Sequence, residues 1–520
     1  MTTRSAMSTR SHRRTPTLLA LGAIGSLVTV TALPAQLISI KSVPIAEGDQ
    51  FAVFPSRNLG MGGVSIALDD SLADPFRNPA TGSRVRGAHL IGSPVLYDIS
   101  SGAGGGRTLP MGLLARSGAW FGAASLAAQE IDELAVDPSF RVAQPDFASS
   151  VAEPGPATVL DGESRHNTYA LGLIGRAFPE SRLAFAASVQ WAGLNVVDGV
   201  ELLYAGSQDL RQRGRALDVR VGLLKEWEGD RSMQAVVVHN RYRMTHDVTY
   251  IDQAWDPVEQ RFEPQERLEH NPDRTNTWGL HLRYARPIAD TSGWRLGAIA
   301  TANRMSHPKI PNYEIMSIPR DPGYSYAYNF GIGLARTTGL ATLAMEVVYE
   351  PIWSDTWADA AQPVQASDGT IIPAGAKTIE NDFTFSNIAG RMGVSRDVPL
   401  NENGAVAGIQ LGLALRSIHY WLAQQDNVQG TRRGLEERWL EWTPTWGMSL
   451  RFPELEVRYT ARQTNGTGRP FVAGGGPEPQ PGFADVQSSG RSVIVAPSGP
   501  LRLDEVHVVT HQISISFLLW

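Results

Sequence analysis

Apolar and polar residues alternate with a period of two along almost the whole chain. That pattern restricts it to strands with two unlike faces. In the clearest window Tyr324, Tyr326, Tyr328, Phe330, Ile332 and Leu334 interleave with Ser325, Ala327, Asn329, Gly331, Gly333 and Ala335. Trp278, Leu280, Leu282 and Tyr284 alternate with Thr277, Gly279, His281 and Arg283, and Leu455, Val457, Tyr459 and Ala461 with Glu456, Arg458, Thr460 and Arg462. Sixteen windows of this kind are present, the others near 88–98, 108–116, 119–128, 167–177, 182–192, 216–226, 233–244, 293–304, 340–350, 382–395, 405–418, 444–452 and 505–519. The window at 108–116 is the least regular because it contains Pro110, which has no N–H to give a ladder. No window beyond residue 35 holds 18 uncharged apolar residues, which excludes a membrane-spanning helix there.

The connections add a second regularity. Short links at Ser117-Gly118, 178–181, 227–232, 286–292, 336–339, 396–404 and Pro453-Glu454 take turns with long ones at 129–166, 193–215, 245–276, 305–322, 351–381, 419–443 and 464–504. Tight turns on one side and long loops on the other are the habit of transmembrane barrels, and nothing in a soluble sandwich or propeller requires it. The composition agrees. Only 19% of the 520 residues are charged, below the roughly 25% of soluble domains, yet mean hydropathy is −0.17. Trp120, Trp227, Trp278, Trp294, Tyr324, Tyr349, Trp353, Tyr420, Trp421 and Trp446 fall at or near strand ends, where an aromatic girdle would meet the lipid headgroups. On the alternate phase Asp218, Arg220, Arg283, Glu346, Arg416, Arg451, Glu456, Arg458 and Arg462 are expected to face a watered lumen. The last strand carries Ile513, Ile515, Phe517 and Leu519 in phase, with Trp520 one residue out of step.

Residues 1–35 read as a cleaved export signal. Arg4, Arg10, Arg13 and Arg14 precede the apolar run Leu18–Ala32, which is too short to span a bilayer, and small residues near Ala35 offer a cleavage site. Loss of those four positive charges takes the net charge from −6 to −10. The acidic balance excludes a nucleic-acid partner. With no Cys in the chain there is no disulfide framework, thiolate metal site or Cys nucleophile.

Residues 58–80, NLGMGGVSIALDDSLADPFRNPA, contain no strand pattern. Gly60, Gly62 and Gly63 allow close backbone approach or positive φ, Asp69 and Asp70 could cap a short helix beginning near Ser71, and Asn78-Pro79 marks a turn. The stretch is therefore expected inside or beneath the barrel, giving three regions: signal 1–35, hatch 36–85 and barrel 86–520. In order and spacing, Gly60–Gly63, the small run Val64–Leu68, Asp69-Asp70 and Asn78-Pro79-Ala80 resemble the N-terminal hatch of the FadL/TodX family, outer-membrane transporters of long-chain fatty acids and other hydrophobic compounds. The resemblance implies an all-β, monomeric, antiparallel barrel of 14 strands, plugged by the hatch, with lateral release of substrate through a gap in the wall. The windows counted above give 16, so 14 and 16 both remain open. It further implies passive uptake in the outer membrane, with lipid, a small hydrophobic ligand and, during biogenesis, the barrel assembly machinery as partners.

A fatty acid needs an apolar groove for its tail and a cation for its carboxylate. Arg220, Arg283, Arg416, Arg451, Arg458 and Arg462 are the candidate cations, each with a competing reading as a lumenal ion pair with Asp218, Glu346 or Glu456. Enzymatic readings find little support, and no catalytic residue, metal ligand or cofactor is expected. GAGGGRT at 102–108 lacks the first Gly of a phosphate loop and has Arg107 where Lys belongs. Ser516 and His511 form no hydrolase motif, the eleven His show no paired metal spacing, and Asp69, Asp70 and Asp74 lack EF-hand order. The alternative function is a barrel like the type IX secretion shuttle, which binds secreted cargo proteins and shares the Leu-Gly-Met-Gly character of Leu59–Gly62.

Overall fold

The computed structural model describes residues 44, 46, 50–51, 53–100, 104–132, 164–198, 209–256, 258, 261–288, 293–307, 310–311, 319–320, 323–360, 362–402, 404–470 and 503–520. The expected signal segment lies outside them. Sixteen antiparallel strands form one closed sheet. They are β1 (halves Ala88–Gly92 and Val95–Ile99), β2 (Gly105–Ser117), β3 (Trp120–Asp132), β4 (Ser164–Phe178), β5 (Leu183–Leu194), β6 (Asp209–Trp227), β7 (Arg231–Asp256) and β8 (Arg261–Pro287). The second half comprises β9 (Trp294–His307), β10 (Gly323–Thr338), β11 (Ala341–Asp359), β12 (Lys377–Pro399), β13 (Val406–Asp426), β14 (Thr431–Arg451), β15 (Leu455–Pro470) and β16 (Leu503–Leu518). Each strand pairs with its neighbour in sequence, and β1 closes the ring on β16 through His89↔Leu518 and Val95↔Gln512. All sixteen sequence windows fall in these strands. The 14-strand expectation is thereby corrected: the alternation counted the wall directly, whereas the resemblance supplied a number from other chains.

The two faces separate as the alternation requires. On β10 the row Tyr324, Tyr326, Phe330 and Ile332 is exposed while Ser325, Ala327, Asn329 and Gly333 are buried. The exposed outer face is apolar around the ring, including Leu126, Ile174, Val221, Val237, Leu280, Ile332, Val347, Ile409 and Met448. On β6 the outward row from Trp227 to Leu217, apolar except for Lys225 beside the turn, has a tilted rise of about 25 Å, the height of a lipid-facing belt. The tight connections, among them 118–119, 179–182, 228–230, 339–340 and 452–454, all lie at one end.

Two further expectations change. The connections at 245–276 and 419–443 are mostly strand: β7–β8 and β13–β14 continue as long hairpins beyond the belt. Outside the membrane no lipid selects an apolar row, so the strand persists while the hydropathy alternation fades. Tyr420, expected in the girdle, is fully buried on the inner face and packs against Phe385 and Trp439. β16 pairs with β1 without a register shift, its outward row ends at Leu519, and Trp520 lies past the last ladder residue.

Ile332→Arg, in mid-belt, should lower folding stability in lipid vesicles by about 2–4 kcal/mol, against about 0–1 kcal/mol for Thr338→Arg at the strand end. Denaturant titration with heat-dependent gel mobility as the readout checks the difference.

Candidate functional site

Residues 54–87 leave the strand pattern because their glycines, prolines and paired acids favour turns. Their only regular elements are a 3₁₀ turn (Leu59–Met61), the helix α1 (Asp74–Arg77) and a second 3₁₀ helix (Pro79–Arg84). The Asp70 carboxylate organises the first part. It accepts bonds from Ser56 Oγ (2.7 Å), the Arg57 amide (2.5 Å) and the amides of Leu72 and Ala73 (3.1 and 3.2 Å). It thus caps the turn before α1, which begins at Asp74 and not at Ser71. Asn78 caps the second 3₁₀ helix, its Oδ1 accepting from the Ala80 amide at 3.1 Å.

Inward side chains of successive strands hold this segment. Glu346 on β11 accepts from the amides of Ser65 and Ile66, both at 2.8 Å, and from Arg391 of β12 at 2.6 Å. Asp69 lies among three arginines: Arg295 (2.6 Å), Arg283 (3.0 Å) and Arg84 of the segment itself (3.0 Å). Gln410 and Arg458 donate to the Arg57 carbonyl, while Glu456 accepts from Arg57 at 2.6 Å. Thr445 Oγ1 donates to the Gly60 carbonyl and accepts from the Gly62 amide. Asn78 Nδ2 donates to Gln234 and to the Leu223 carbonyl. The fit is close enough to need glycine on the wall. A Cβ at Gly222 would stand 2.1 Å from Asn78 Oδ1, one at Gly297 2.2 Å from the Ile66 carbonyl, and one at Gly393 2.4 Å from the Met61 carbonyl.

The residues singled out from sequence meet here in part. Gly60 and Gly62 lie against β13 and β14, and Gly62 has φ +75°. Gly63, also at positive φ, donates its amide to the Asn58 carbonyl. Pro79 opens the second 3₁₀ helix, and Ala80 is fully buried among Phe76, Phe121 and Leu224. Of the six candidate cations, Arg220 bonds Asp218 and the carbonyls of Phe76 and Arg77. Arg283 bonds the carbonyls of Ile66 and Leu68 as well as Asp69. Arg458 is shared between Arg57 and Glu456. Arg416 lies apart, forked onto Glu350 at 2.9 and 3.0 Å, and Arg451 pairs with Asp397. Arg462, on β15, stands opposite Thr445 and Thr510. Sequence reading missed Gln234, Arg295, Glu350, Arg391, Gln410 and Thr445 as partners; their inward phase was the available signal. Ser516 and His511 lie on opposite faces of β16.

Toward the ends carrying the long connections, the inner face carries two apolar clusters among buried polar residues such as His246, Thr356, Asn381 and Gln424. Met305, Ala327, Ile352, Phe383, Phe385, Ile418, Tyr420 and Leu422 form one buried cluster on β9–β13. Phe51 and Val53, from the chain leading into the segment, pack on Tyr169, Val236, Val238, Tyr242, Met244 and Val248 in the other, which includes β4 and β7. The wall is also interrupted at Ser93-Pro94. Pro94 and Pro110 of neighbouring β2 both lack an N–H, and pairing resumes in the same register beyond them. A cavity of about 450 Å³ lies at this seam, lined by outward Leu96, Leu109 and Ile513 and by inward Thr108 and Gln129.

No protein-family model matches the chain, and no curated relative matches it. Solved barrels similar to it in structure include the Pseudomonas putida toluene transporter TodX, at 12% identity and TM-score 0.39, covering 92% of this chain and 100% of that one. A Pseudomonas aeruginosa FadL homologue gives 12% and 0.43 over 91% and 100%, and the Ralstonia pickettii toluene transporter TbuX 12% and 0.36 over 89% and 98%.

The two acids flanking α1 titrate in opposite directions. Burial raises the Asp69 carboxyl, but Arg283, Arg84 and Arg295 outweigh it and hold the group well below the usual carboxylate range. Burial pushes Asp74 up to about 6 from 3.8; nearby Asp70 and Asp69 add to the rise, and Arg283 and Arg77 oppose it. Because the docked segment binds the Asp74 proton more tightly than the free one, docking should be strongest below about pH 4 and weaken until about pH 6. Amide-exchange protection of residues 72–74 and 76, corrected for intrinsic rate, should fall across that window in the wild type and stay flat in Asp74→Asn. Asp69→Asn should loosen the segment at every pH by about 1–3 kcal/mol, allowing for its partial exposure.

Proposed function

We propose that the chain is an outer-membrane channel for passive uptake of hydrophobic compounds, similar in kind to the FadL/TodX transporters, with residues 36–85 as its hatch. The observation that carries this reading is the division of the lumen. A polar, charge-latched floor fills the half nearer the tight turns, and buried aromatic and aliphatic side chains line the half toward the long connections. An open aqueous pore has no use for the second, because water gains nothing from an apolar lining. A solute that leaves water for that lining is held by the hydrophobic effect alone, at about 25 cal/mol per Å² of apolar surface removed from water.

The latches point to a gate. Arg220, Arg283 and Arg458 are engaged with hatch carbonyls, so an incoming carboxylate would compete with those carbonyls for the same guanidiniums. Binding and unlatching then become one event, and fatty acids become a substrate class the site can distinguish from neutral hydrocarbons. The seam at Ser93-Pro94 is the exit this reading favours. Its two prolines remove ladder donors and so reduce the resistance to parting, and the cavity beside it is lined mainly by outward residues such as Leu96, Leu109 and Ile513. No observation on the described residues supports the secretion-shuttle alternative.

Expression in Gram-negative cells lacking their own hydrophobic-compound channel tests the reading. The wild type should restore uptake of a long-chain fatty acid several-fold, and should leave uptake of a sugar unchanged. Pro94→Val with Pro110→Val, which returns two ladder donors, should slow fatty-acid uptake at least twofold while the heat-dependent gel shift persists. Equal permeation of sugar and fatty acid would contradict the proposal.

A further inference from the structure

The outer face carries a charge cluster that the lumen does not use. Arg215 on β6, Arg243 on β7 and Arg274 on β8 are direct cross-strand neighbours and form a row three strands wide. Arg213 follows one dyad further along β6, and Arg241 one dyad back along β7. All five lie on the outward phase: Arg213, Arg215, Arg241 and Arg274 are exposed and Arg243 is half-buried, while the alternating Gln212, Ala216, Tyr242 and Met244 are buried. Side chains opposed in this way sit about 4.5–5.5 Å apart at Cβ, and like charges there repel. Among the described residues no carboxylate pairs with any of the five. The acids further out are already taken: Asp209 by Arg211 at 3.0 Å and Asp247 by His270 at 2.6 Å.

The height of the row defines what can meet it. Immediately below stand Leu217, Trp278 with His239 stacked on it at 4.2 Å, and then Val221, Val237 and Leu280. Arg215 lies roughly 30 Å above Trp227 for a tilted strand, which is headgroup depth in the leaflet away from the tight turns. Five adjacent guanidiniums at that depth, with no carboxylate partner among the described residues, favour an external anion. The planar fork matches phosphate oxygens two at a time. A free anion would meet only open, salt-screened arginines. A lipid phosphate would in addition lay its acyl chains on the apolar strip below.

We propose that Arg213, Arg215, Arg241, Arg243 and Arg274 form an external binding site for a phosphorylated lipid of the outer leaflet, its phosphate on the Arg215–Arg243–Arg274 row and its chains along Leu217, Val221 and Leu280. The site depends on the barrel's membrane placement and not on what crosses the lumen.

Native mass spectrometry and thermal midpoints of the full chain in detergent test it. The probes are a bis-phosphorylated glucosamine-disaccharide lipid, the same lipid without its phosphates, and inorganic phosphate. The phosphorylated lipid should bind at least tenfold more tightly than the dephosphorylated one. R215Q/R243Q/R274Q should abolish that preference while keeping the heat-dependent gel shift, and the corresponding triple lysine variant should retain part of it. The wild-type comparison of the two lipids stands whether or not a variant folds. Equal affinity for the two lipids, an unaffected glutamine variant, or inorganic phosphate binding as tightly as the lipid would each overturn the proposal. So would a protein partner captured through these arginines in place of lipid.

Discussion

The internal segment is held by charge-assisted hydrogen bonds from the inner wall, and the rest of the interior is arranged around them. Glu346 receives two backbone amides and one guanidinium, Asp69 receives three guanidiniums, and Arg220 and Arg283 cap carbonyls that have no strand partner. Buried charges are tolerated because each is paired and hydrogen-bonded; removing one partner leaves the other uncompensated in a space of low dielectric. The latches are therefore strong as a set and vulnerable singly. Wall glycines at 222, 297 and 393 supply the complementary surface, since any side chain there would push the segment off its bonds.

The wall was readable from the sequence because lipid imposes a single requirement on every strand: an apolar residue at every second position within the belt. Sixteen alternating windows became sixteen strands for that reason. The long hairpins of β7–β8 and β13–β14 escaped notice because water beyond the belt accepts polar residues on both faces. Tyr420 was misplaced because an aromatic near a strand end fits a girdle and a lumen equally well until its phase is known. The hatch motif was visible as a motif, and its partners were not. Glu346 and Arg283 carried the right phase, but only the closure of the ring shows which strands lie opposite residues 57–84.

Under the proposed function, the polar floor and the apolar clusters above it reconcile a net acidic chain with a hydrophobic solute. Many of the charges are paired locally, in the latches and in pairs such as Arg416–Glu350. Among them stand the aromatic and aliphatic clusters, which would hold an apolar solute by the hydrophobic effect.

The most direct measurement is native mass spectrometry of the barrel extracted gently from membranes, with the bound species identified by its own mass. The account predicts a small apolar molecule, distinct from the detergent, held by the wild type and lost when Phe385 and Tyr420 are both replaced by Asn. A barrel that carries a small polar solute, or a secreted protein and no small ligand, would contradict it.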